Sequence, residues 1–187
     1  MRLVLASTSP QRRAILEQLR IPFEVEAPAY EEHDPADADP VALVREHAAG
    51  KARSVHRPGQ AKLGVDTTVH LAGRVYGKPR DGEHAAAMLR ELGGDTHSVL
   101  SGLCLITPAG EDVEHAETLV TFRALAEDDV ARYVASGEWR GRAGGYAIQG
   151  LGGRLVERIE GDYLNVVGLP GALLVGLLAK RAPQLLG

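Results

Sequence analysis

The segment LVLASTSPQRRAIL, residues 3–16, constrains the fold more than any other stretch of the sequence. The apolar run at residues 2–6 predicts a strand, and the apolar spacing over residues 10–19 predicts a helix. Ser9 suits the N-cap of that helix, and Pro10 suits its first position. A strand that enters a helix through so short a turn places the free N–H groups of the helix at the strand's carboxyl end. Such groups attract anions.

The rest of the chain continues to alternate helix-like and strand-like segments. Apolar spacing predicts further helices, at residues 41–55, 83–92 and 127–136, and a buried one near the carboxyl end within 166–179. Period-two patterns predict strands and hairpins, at residues 23–28, 62–79, 97–110, 111–125 and 153–170. Residues 31–40 are predicted to form an acidic loop. Because hairpins lie among the strand and helix alternations, we predict an α/β fold with a mixed twisted sheet, in one domain over residues 1–187.

Composition excludes several classes of protein. A chain of 187 residues that is 44% hydrophobic can bury one sizeable core or two small lobes. Its net charge of -4 argues against a non-specific nucleic-acid binder. Cys104 is the single cysteine, so no internal disulfide or zinc cluster is expected, as suits a reducing cytosol. We expect no signal peptide and no membrane span, since the apolar tract at residues 166–179 is short and contains Pro170.

Two arginines, Arg12 and Arg13, stand in the first turn of the first predicted helix, where the backbone already carries partial positive charge. That placement costs roughly 0.3–1 kcal/mol for each arginine, so a negative partner is expected. In one interpretation both arginines reach solvent or nearby glutamates. In the other they form a phosphate site, because Arg12 begins the inward-facing stripe of the helix, and Ser7 and Ser9 add hydroxyl groups.

Other charged residues are candidates for the same chemistry. Asp66, in GVDTTV, follows small and apolar residues, so it is either a structural hydrogen-bond acceptor or a catalytic or metal-binding carboxylate. Glu31 and Glu32 stand in the acidic segment, for which the alternative is a solvated loop. Lys51 in a predicted helix and Lys78 in the GKP turn have the alternative of facing solvent.

Two common nucleotide-binding motifs are missing from the sequence. The Walker A spacing GxxxxGK[ST] does not occur. The segment GGYAIQGLGG, residues 144–153, does not match GxGxxG, although its glycines let backbone approach a ligand. The histidines, among them His33, His84 and His97, show no metal-ligand spacing, and we assign them no role.

Five motifs together resemble the Maf family of nucleoside triphosphate pyrophosphatases. They are LASTSPQRRAIL, GVDTTV, GKPRD, AGGYAIQGLGG and VERIEGDYLNVVGLP, and they occur in the order and at the separations found in that family. The resemblance covers essentially the whole chain. It implies a two-lobed α/β fold similar to inosine triphosphatases, with a cleft between the lobes, and a homodimer. It also implies cytoplasmic hydrolysis of a nucleotide to its monophosphate and pyrophosphate with a divalent metal cation, Mg²⁺ or Mn²⁺.

The same resemblance assigns roles to individual residues. It implies catalytic roles for five charged residues, Arg12, Glu32, Lys51, Asp66 and Lys78. It implies substrate contacts for five more, Ser7, Gln11, Arg13, Thr67 and Gln149. Glu32 and Asp66 are the implied metal ligands, and Asp66 the implied proton acceptor. Attack at the α-phosphorus needs cations on the charged oxygens, an oriented water and a carboxylate, but the sequence does not separate base from metal ligand.

Three of these positions are associated with the accepted base in the Maf family. Thr67 and Gln149 match the pyrimidine type, which acts on dTTP and UTP, whereas Gln11 stands where that type usually has arginine. Loss of that charge and bidentate donor would weaken base discrimination, so that a broader range of bases is accepted. A second departure, Arg142 in place of lysine, keeps its charge.

We therefore expect a dTTP/UTP pyrophosphatase that clears unwanted or modified pyrimidine nucleotides. One alternative is the same chemistry on 7-methyl-GTP. Another, from a different class, is a non-hydrolytic nucleotide-binding regulator of septum formation, although clustered carboxylates are unnecessary for sensing and the acidic charge opposes nucleic-acid binding.

Overall fold

The structure, a computed structural model, describes residues 1–33 and 38–187. Its strands are β1 (Leu3–Ala6), β2 (Phe23–Glu26), β3 (Ala61–Leu71), β4 (Arg74–Tyr76), β5 (Thr96–Thr107), β6 (Gly110–Phe122) and β7 (Val156–Glu160). Its α-helices are α1 (Pro10–Gln18), α2 (Pro40–Ser54), α3 (Gly82–Leu92), α4 (Glu127–Ser136), α5 (Tyr163–Val167) and α6 (Gly171–Arg181). Hydrogen bonding orders the strands β2-β1-β3-β5-β6-β7, with β4 paired to β3.

The chain divides into two compact units. Unit 1 comprises Met1–Thr67, Ser101–Ala116 and Gly168–Gly187, and unit 2 comprises Thr68–Leu100 and Glu117–Val167. Strands β3, β5 and β6 each contribute residues to both units. Parallel pairs in unit 1 and antiparallel pairs in unit 2 make the fold mixed α/β, as the sequence predicts. The single domain and the cleft between lobes stay predictions.

Unit 1 is built on parallel strands. β1 pairs with β2, Leu3 opposite Phe23, and with β3, Leu3 opposite Ala61. Helix α2 lies close to strand β3 at Gly64, which has no side chain. A Cβ added to Gly64 would lie 2.0 Å from the Ala48 carbonyl oxygen, so a larger residue there would push the helix away. This approach brings α2 to the face of β3 that also carries Asp66, two residues further on.

Unit 2 has an aromatic core. Buried aromatic side chains of its strands, helices and loops pack into one cluster, which includes Tyr76, Phe122, Tyr133, Trp139 and Tyr146. The β3–β4 hairpin turns at Ala72 and Gly73, where the sequence predicts it. Both residues have positive φ, 49° and 83°, as a type I′ turn requires. The last pair of strands in this unit is β6 and β7, which are antiparallel.

The predicted helix and strand positions are largely confirmed. Helix α1 begins at Ser9 and Pro10 as expected, with the Ser9 side chain as its cap, and α4 ends at Gly137, whose φ is 74°. The apolar tract at residues 166–179 contains the end of α5 and most of α6, which starts after Pro170. The predicted loop at residues 31–40 includes residues 34–37, which lie outside the described part of the chain.

The predicted final hairpin at residues 153–170 is wrong. Its first half forms β7, which pairs with β6, but residues Tyr163–Val167 form helix α5. Asp162 starts this helix, because its Oδ1 accepts a hydrogen bond of 2.8 Å from the Leu164 N–H. Asn165 is fully buried and donates from Nδ2 to the Val99 carbonyl at 3.0 Å. These polar contacts outweigh the β-branched residues that suggested a strand.

Candidate active site in unit 1

The turn between β1 and α1 is organised by two serines. The Ser9 backbone N–H donates to Ser7 Oγ at 3.1 Å, and Ser9 Oγ accepts from the Arg12 N–H at 3.5 Å. Ser9 Oγ also donates to Gln11 Oε1 at 3.0 Å. Gln11 is half-buried, whereas Arg13 is exposed. The turn therefore separates the two arginines, since Arg12 points inward and Arg13 reaches solvent.

Arg12 is fixed by three oxygen acceptors. Its Nε donates to the Gly168 carbonyl at 2.9 Å, and its Nη1 and Nη2 lie 3.3 Å from Ser7 Oγ and Thr67 Oγ1. Thr67 Oγ1 in turn lies 2.9 Å from Ser101 Oγ. The guanidinium has five N–H donors in a rigid fork, so this set of acceptors fixes its orientation.

The carboxylates of Asp66 and Glu32 stabilise the charged form of Arg12. Burial lowers the pKa of the Arg12 guanidinium, and these two carboxylates act in the opposite direction. Arginine stays protonated in proteins, so a cation is held here. Arg12 and Asp66 thus share one electrostatic environment, and the negative partners expected near the start of α1 are these carboxylates.

Lys51 joins the two carboxylates. Its Nζ lies 2.6 Å from Asp66 Oδ1 and 2.5 Å from Glu32 Oε1. Lys51 is in the last turn of α2 and 7% exposed, while the side chains of Asp66 and Glu32 are 14% and 41% exposed. A buried lysine is costly unless it is paired, and here one ammonium compensates two acids. The close approach of α2 to β3 at Gly64 makes this contact possible.

The structure thus brings together six of the predicted site residues in unit 1, namely Ser7, Arg12, Glu32, Lys51, Asp66 and Thr67. Gln11 adjoins them on α1. Glu31 and Glu32 are both exposed, as the solvated-loop alternative predicts, but Glu32 also pairs with the buried Lys51. The solvent-facing alternative for Lys51 is wrong.

Two predicted site residues, Lys78 and Gln149, belong to unit 2. Both are exposed within it. The segment around Gln149 is held from the end of α4. The Ala147 N–H donates to the Tyr133 hydroxyl at 2.9 Å, and the Leu151 N–H donates to Glu138 Oε2 at 2.8 Å. The glycine-rich segment is therefore a fixed structure within its unit.

Sequence reasoning overlooked the groups that orient Arg12 and the segment of Gln149. Ser101 and the Gly168 carbonyl belong to the first set, and Tyr133 to the second. Ser101 had a signal in the sequence, because it is a polar residue within the apolar run VLSGLCL and is fully buried. A backbone carbonyl leaves no such signal.

The donor set can be tested against a metal ion. Within residues 1–33 and 38–187, no group of three His, Cys, Asp or Glu side chains could hold a metal. Glu32 and Asp66 nonetheless converge on one nitrogen. Mg²⁺ is usually bound by one or two carboxylates together with substrate phosphates and water. This pair fits such an ion when a phosphate chain supplies further oxygens.

No helix in the described part of the chain is long and apolar enough to cross a membrane. Cys104 is a free cysteine at a fully buried position in unit 1. Burial raises the pKa of its thiol to about 12, so it carries no thiolate at neutral pH.

Comparison with known proteins places this α/β chain in a family. The family described as Maf-like protein matches residues 2–181. A dTTP/UTP pyrophosphatase of Deinococcus radiodurans is 46% identical over 95% of this chain and 91% of its own length. Proteins of the same name from Gloeobacter violaceus and Pyrococcus furiosus are 47% and 41% identical, over 96% and 95% of this chain and 95% and 94% of their own lengths. The chain belongs to the Maf family.

A solved structure, that of the Staphylococcus aureus Ham1 protein, is a more distant neighbour. It aligns with a TM-score of 0.48 and 13% sequence identity, over 65% of this chain and 72% of that chain.

Proposed function

We propose that this chain hydrolyses nucleoside triphosphates, preferentially dTTP and UTP, to the monophosphate and pyrophosphate. The observation that carries the proposal is the pairing of one buried ammonium, Lys51, with two carboxylates, Glu32 and Asp66, in the unit that also holds Arg12. The names of the Maf relatives, dTTP/UTP pyrophosphatase, support the choice of substrate.

In the proposed reaction the cations of unit 1 act on the phosphate chain. Arg12 offers guanidinium N–H groups, and Lys51 offers an ammonium, to phosphate oxygens that gain negative charge as water attacks. The contacts of Arg12 with Ser7, Thr67 and Gly168 hold its fork in place before substrate arrives. Such preorganisation lowers the cost of reorienting the donor during the reaction.

A carboxylate is proposed to take the proton of the attacking water. Asp66 is the better candidate, because it is less exposed than Glu32 and anchored on a strand. When Asp66 loses part of its contact with Lys51, it can accept a proton from a water within hydrogen-bond reach. Lys78 of unit 2 and the exposed Arg13 are proposed as further phosphate contacts.

We propose Glu32 and Asp66 as the residues that hold Mg²⁺ or Mn²⁺. A bound divalent cation supplies charge neutralisation of the phosphates and acidifies water. With Glu32 and Asp66 holding the ion, the Lys51 ammonium would serve as a ligand for a phosphate oxygen, so that no buried charge would be left alone.

Base selection is proposed to involve Gln11, Thr67 and Gln149. The Thr67 hydroxyl lies 3.3 Å from Arg12, so it also sets the position of a phosphate-binding group. Gln11 offers an amide where an arginine is usual in pyrimidine-type members. We therefore propose a broader pyrimidine preference than an arginine would give, and a role in clearing modified pyrimidine nucleotides.

Pyrophosphate release measured across a nucleotide panel, with and without Mg²⁺, tests the proposal. We expect release from dTTP and UTP that depends on the cation. Faster release from 7-methyl-GTP would transfer the chemistry to another base. Binding without release from any triphosphate would leave a nucleotide-sensing regulator.

We also propose a cytosolic homodimer, and a monomer mass by light scattering would contradict the dimer.

A further inference from the structure

The segment that carries Glu32, residues 29–33, packs against helix α2 through the ring of Tyr30. A Cβ added to Gly50 would lie 2.1 Å from Tyr30 Cε2 and 2.5 Å from Tyr30 Cδ2. These distances are far below van der Waals contact, so the Tyr30 ring occupies the space that any other residue at position 50 would need. Tyr30 itself is half-buried. The absence of a side chain at Gly50 therefore lets this ring pack directly against the helix backbone.

Polar contacts hold the same segment in place. The Tyr30 hydroxyl lies 2.9 Å from Nδ1 of His47, with which it shares a hydrogen bond, and the two rings meet edge to face at 5.7 Å between centroids. His47 is 2% exposed. One residue earlier, the Ala29 N–H donates to Ser54 Oγ at 3.1 Å. A buried polar group that is satisfied in this way anchors the chain in one position.

The partners of this segment share one side of α2. His47, Gly50, Lys51 and Ser54 stand at spacings of three, four and seven residues, which place side chains on one face of a helix. The docked segment thus runs along the face that presents Lys51. Glu32, two residues after Tyr30, reaches the Lys51 ammonium from there.

We propose that Tyr30, seated on Gly50 and bonded to His47, is a positioning residue for the Glu32 carboxylate. This inference rests on the proposed function, in which Glu32 binds the cation. The Glu32 side chain is 41% exposed, and its carboxylate pairs with the buried Lys51. The ring two residues earlier fixes the backbone from which this side chain extends. Groups that orient a functional carboxylate typically change activity or metal affinity by about 10–100-fold when removed.

Substitution of Gly50 gives the sharpest test, because its effects on folding and on activity separate. Gly50→Ala adds a methyl group beneath the Tyr30 ring and should lower kcat/KM for pyrophosphate release about tenfold or more. The matched control is Gly176→Ala in α6, where a Cβ would meet nothing within 4 Å. Alanine is the better helix former at both sites, so the control should keep full activity. Full activity of Gly50→Ala would overturn the inference.

A double variant shows whether the ring is the cause. Tyr30→Ala removes the ring and should lower kcat/KM to a similar extent. Gly50→Ala added to Tyr30→Ala should then bring no further loss, since no ring is left to displace. Losses that multiply in the double variant would mean that Gly50 acts by another route, and would overturn the inference.

Amide hydrogen exchange supplies a measurement that needs no substrate. Peptides covering residues 29–33 should exchange about tenfold faster in Gly50→Ala and Tyr30→Ala than in the wild type and in Gly176→Ala. Unchanged exchange in both variants would overturn the inference even if the wild type releases pyrophosphate. Failure of the wild type to release pyrophosphate would instead refute the proposed function, and exchange would still decide whether the ring docks the segment.

Discussion

The Lys51 cluster of unit 1 and the His97 cluster of unit 2 handle buried titratable groups in opposite ways. In unit 1 the buried Lys51 pairs with Glu32 and Asp66, and the same two carboxylates act on Arg12, so charges are compensated by other charges. In unit 2 the buried His97 lies among rings. It meets Phe122 at 4.9 Å and Tyr146 at 5.5 Å between centroids, and its Nε2 shares a hydrogen bond of 2.9 Å with the Tyr146 hydroxyl.

The difference appears in the pKa values of unit 2. Burial lowers the pKa of His97 to about 4 and raises the pKa of Tyr133 to about 12, and it raises that of Tyr146 as well. Each shift favours the neutral form at pH 7. Unit 2 thus stabilises structure by suppressing charge, whereas unit 1 retains charges that a phosphate chain and a cation can use. Substitutions in the charged cluster of unit 1 should affect turnover, and those in the aromatic core of unit 2 should affect folding.

The largest effect is expected from Asp66→Asn in unit 1. Turnover should fall by roughly 10² or more, because the amide neither accepts the proton nor binds a cation well. Steady-state pyrophosphate release from dTTP measures it. Asp112→Asn is the matched control, since Asp112 also pairs with two cations of unit 1, Lys180 and Arg181. We expect the control to turn over at the wild-type rate. Near-normal turnover by Asp66→Asn would remove that residue from the chemistry.

His97 should give unit 2 a pH-dependent stability. Its folded pKa, about 4, is below the unfolded value of 6.5, so the unfolded chain takes up a proton first as pH falls. The free energy of unfolding should therefore drop by about 2 kcal/mol between pH 7 and pH 5 because of this residue. Urea unfolding of the wild type and of His97→Gln at both pH values measures it.

The exposed His115 provides the control for that experiment. His115→Gln should keep the wild-type pH dependence, whereas His97→Gln should lose about 2 kcal/mol of it. Equal pH dependence in the wild type and His97→Gln would show that the buried ring does not stay neutral.

Tyr133→Phe should have a smaller effect on unit 2. The substitution keeps the ring but removes the hydroxyl that accepts from the buried Ala147 N–H. An unsatisfied buried donor costs about 1.5 kcal/mol of unfolding free energy, which urea denaturation detects. Tyr163→Phe, at a side chain 42% exposed, serves as control and should leave stability unchanged. Equal stability of the two variants would mean that water replaces the lost hydroxyl.

The sequence predicts local features of both units well and their long-range contacts poorly. Ser9 and Pro10 begin α1 as expected because capping depends on neighbouring residues. The pairing of Lys51 with Asp66 depends on the approach of α2 at Gly64, which no local pattern expresses. The resemblance to the Maf family supplied what periodicity did not, since it named both residues.

The same limit explains the errors. Residues 163–167 contain two valines and a tyrosine, which favour a strand, but the buried hydrogen bonds of Asn165 to the Val99 carbonyl and the Thr118 hydroxyl select a helix. Tyr30 drew no attention because its function depends on a glycine and a histidine of a helix that begins ten residues later. Tertiary contact, rather than propensity, decides at such positions.

The smallest effect is expected at Gln11, and it concerns which unit reads the base. Gln11→Arg restores the charge and bidentate donor usual in pyrimidine-type members, at a small cost from the positive end of α1. Preference for dTTP over dCTP, as the ratio of kcat/KM values, should rise about 3–10-fold, the worth of one hydrogen bond. Gln18→Arg, at the exposed last residue of α1, makes the same charge change and should leave the ratio unaltered. If Gln11→Arg leaves the ratio unaltered while Gln149→Ala lowers it, Gln149 of unit 2 reads the base and Gln11 does not.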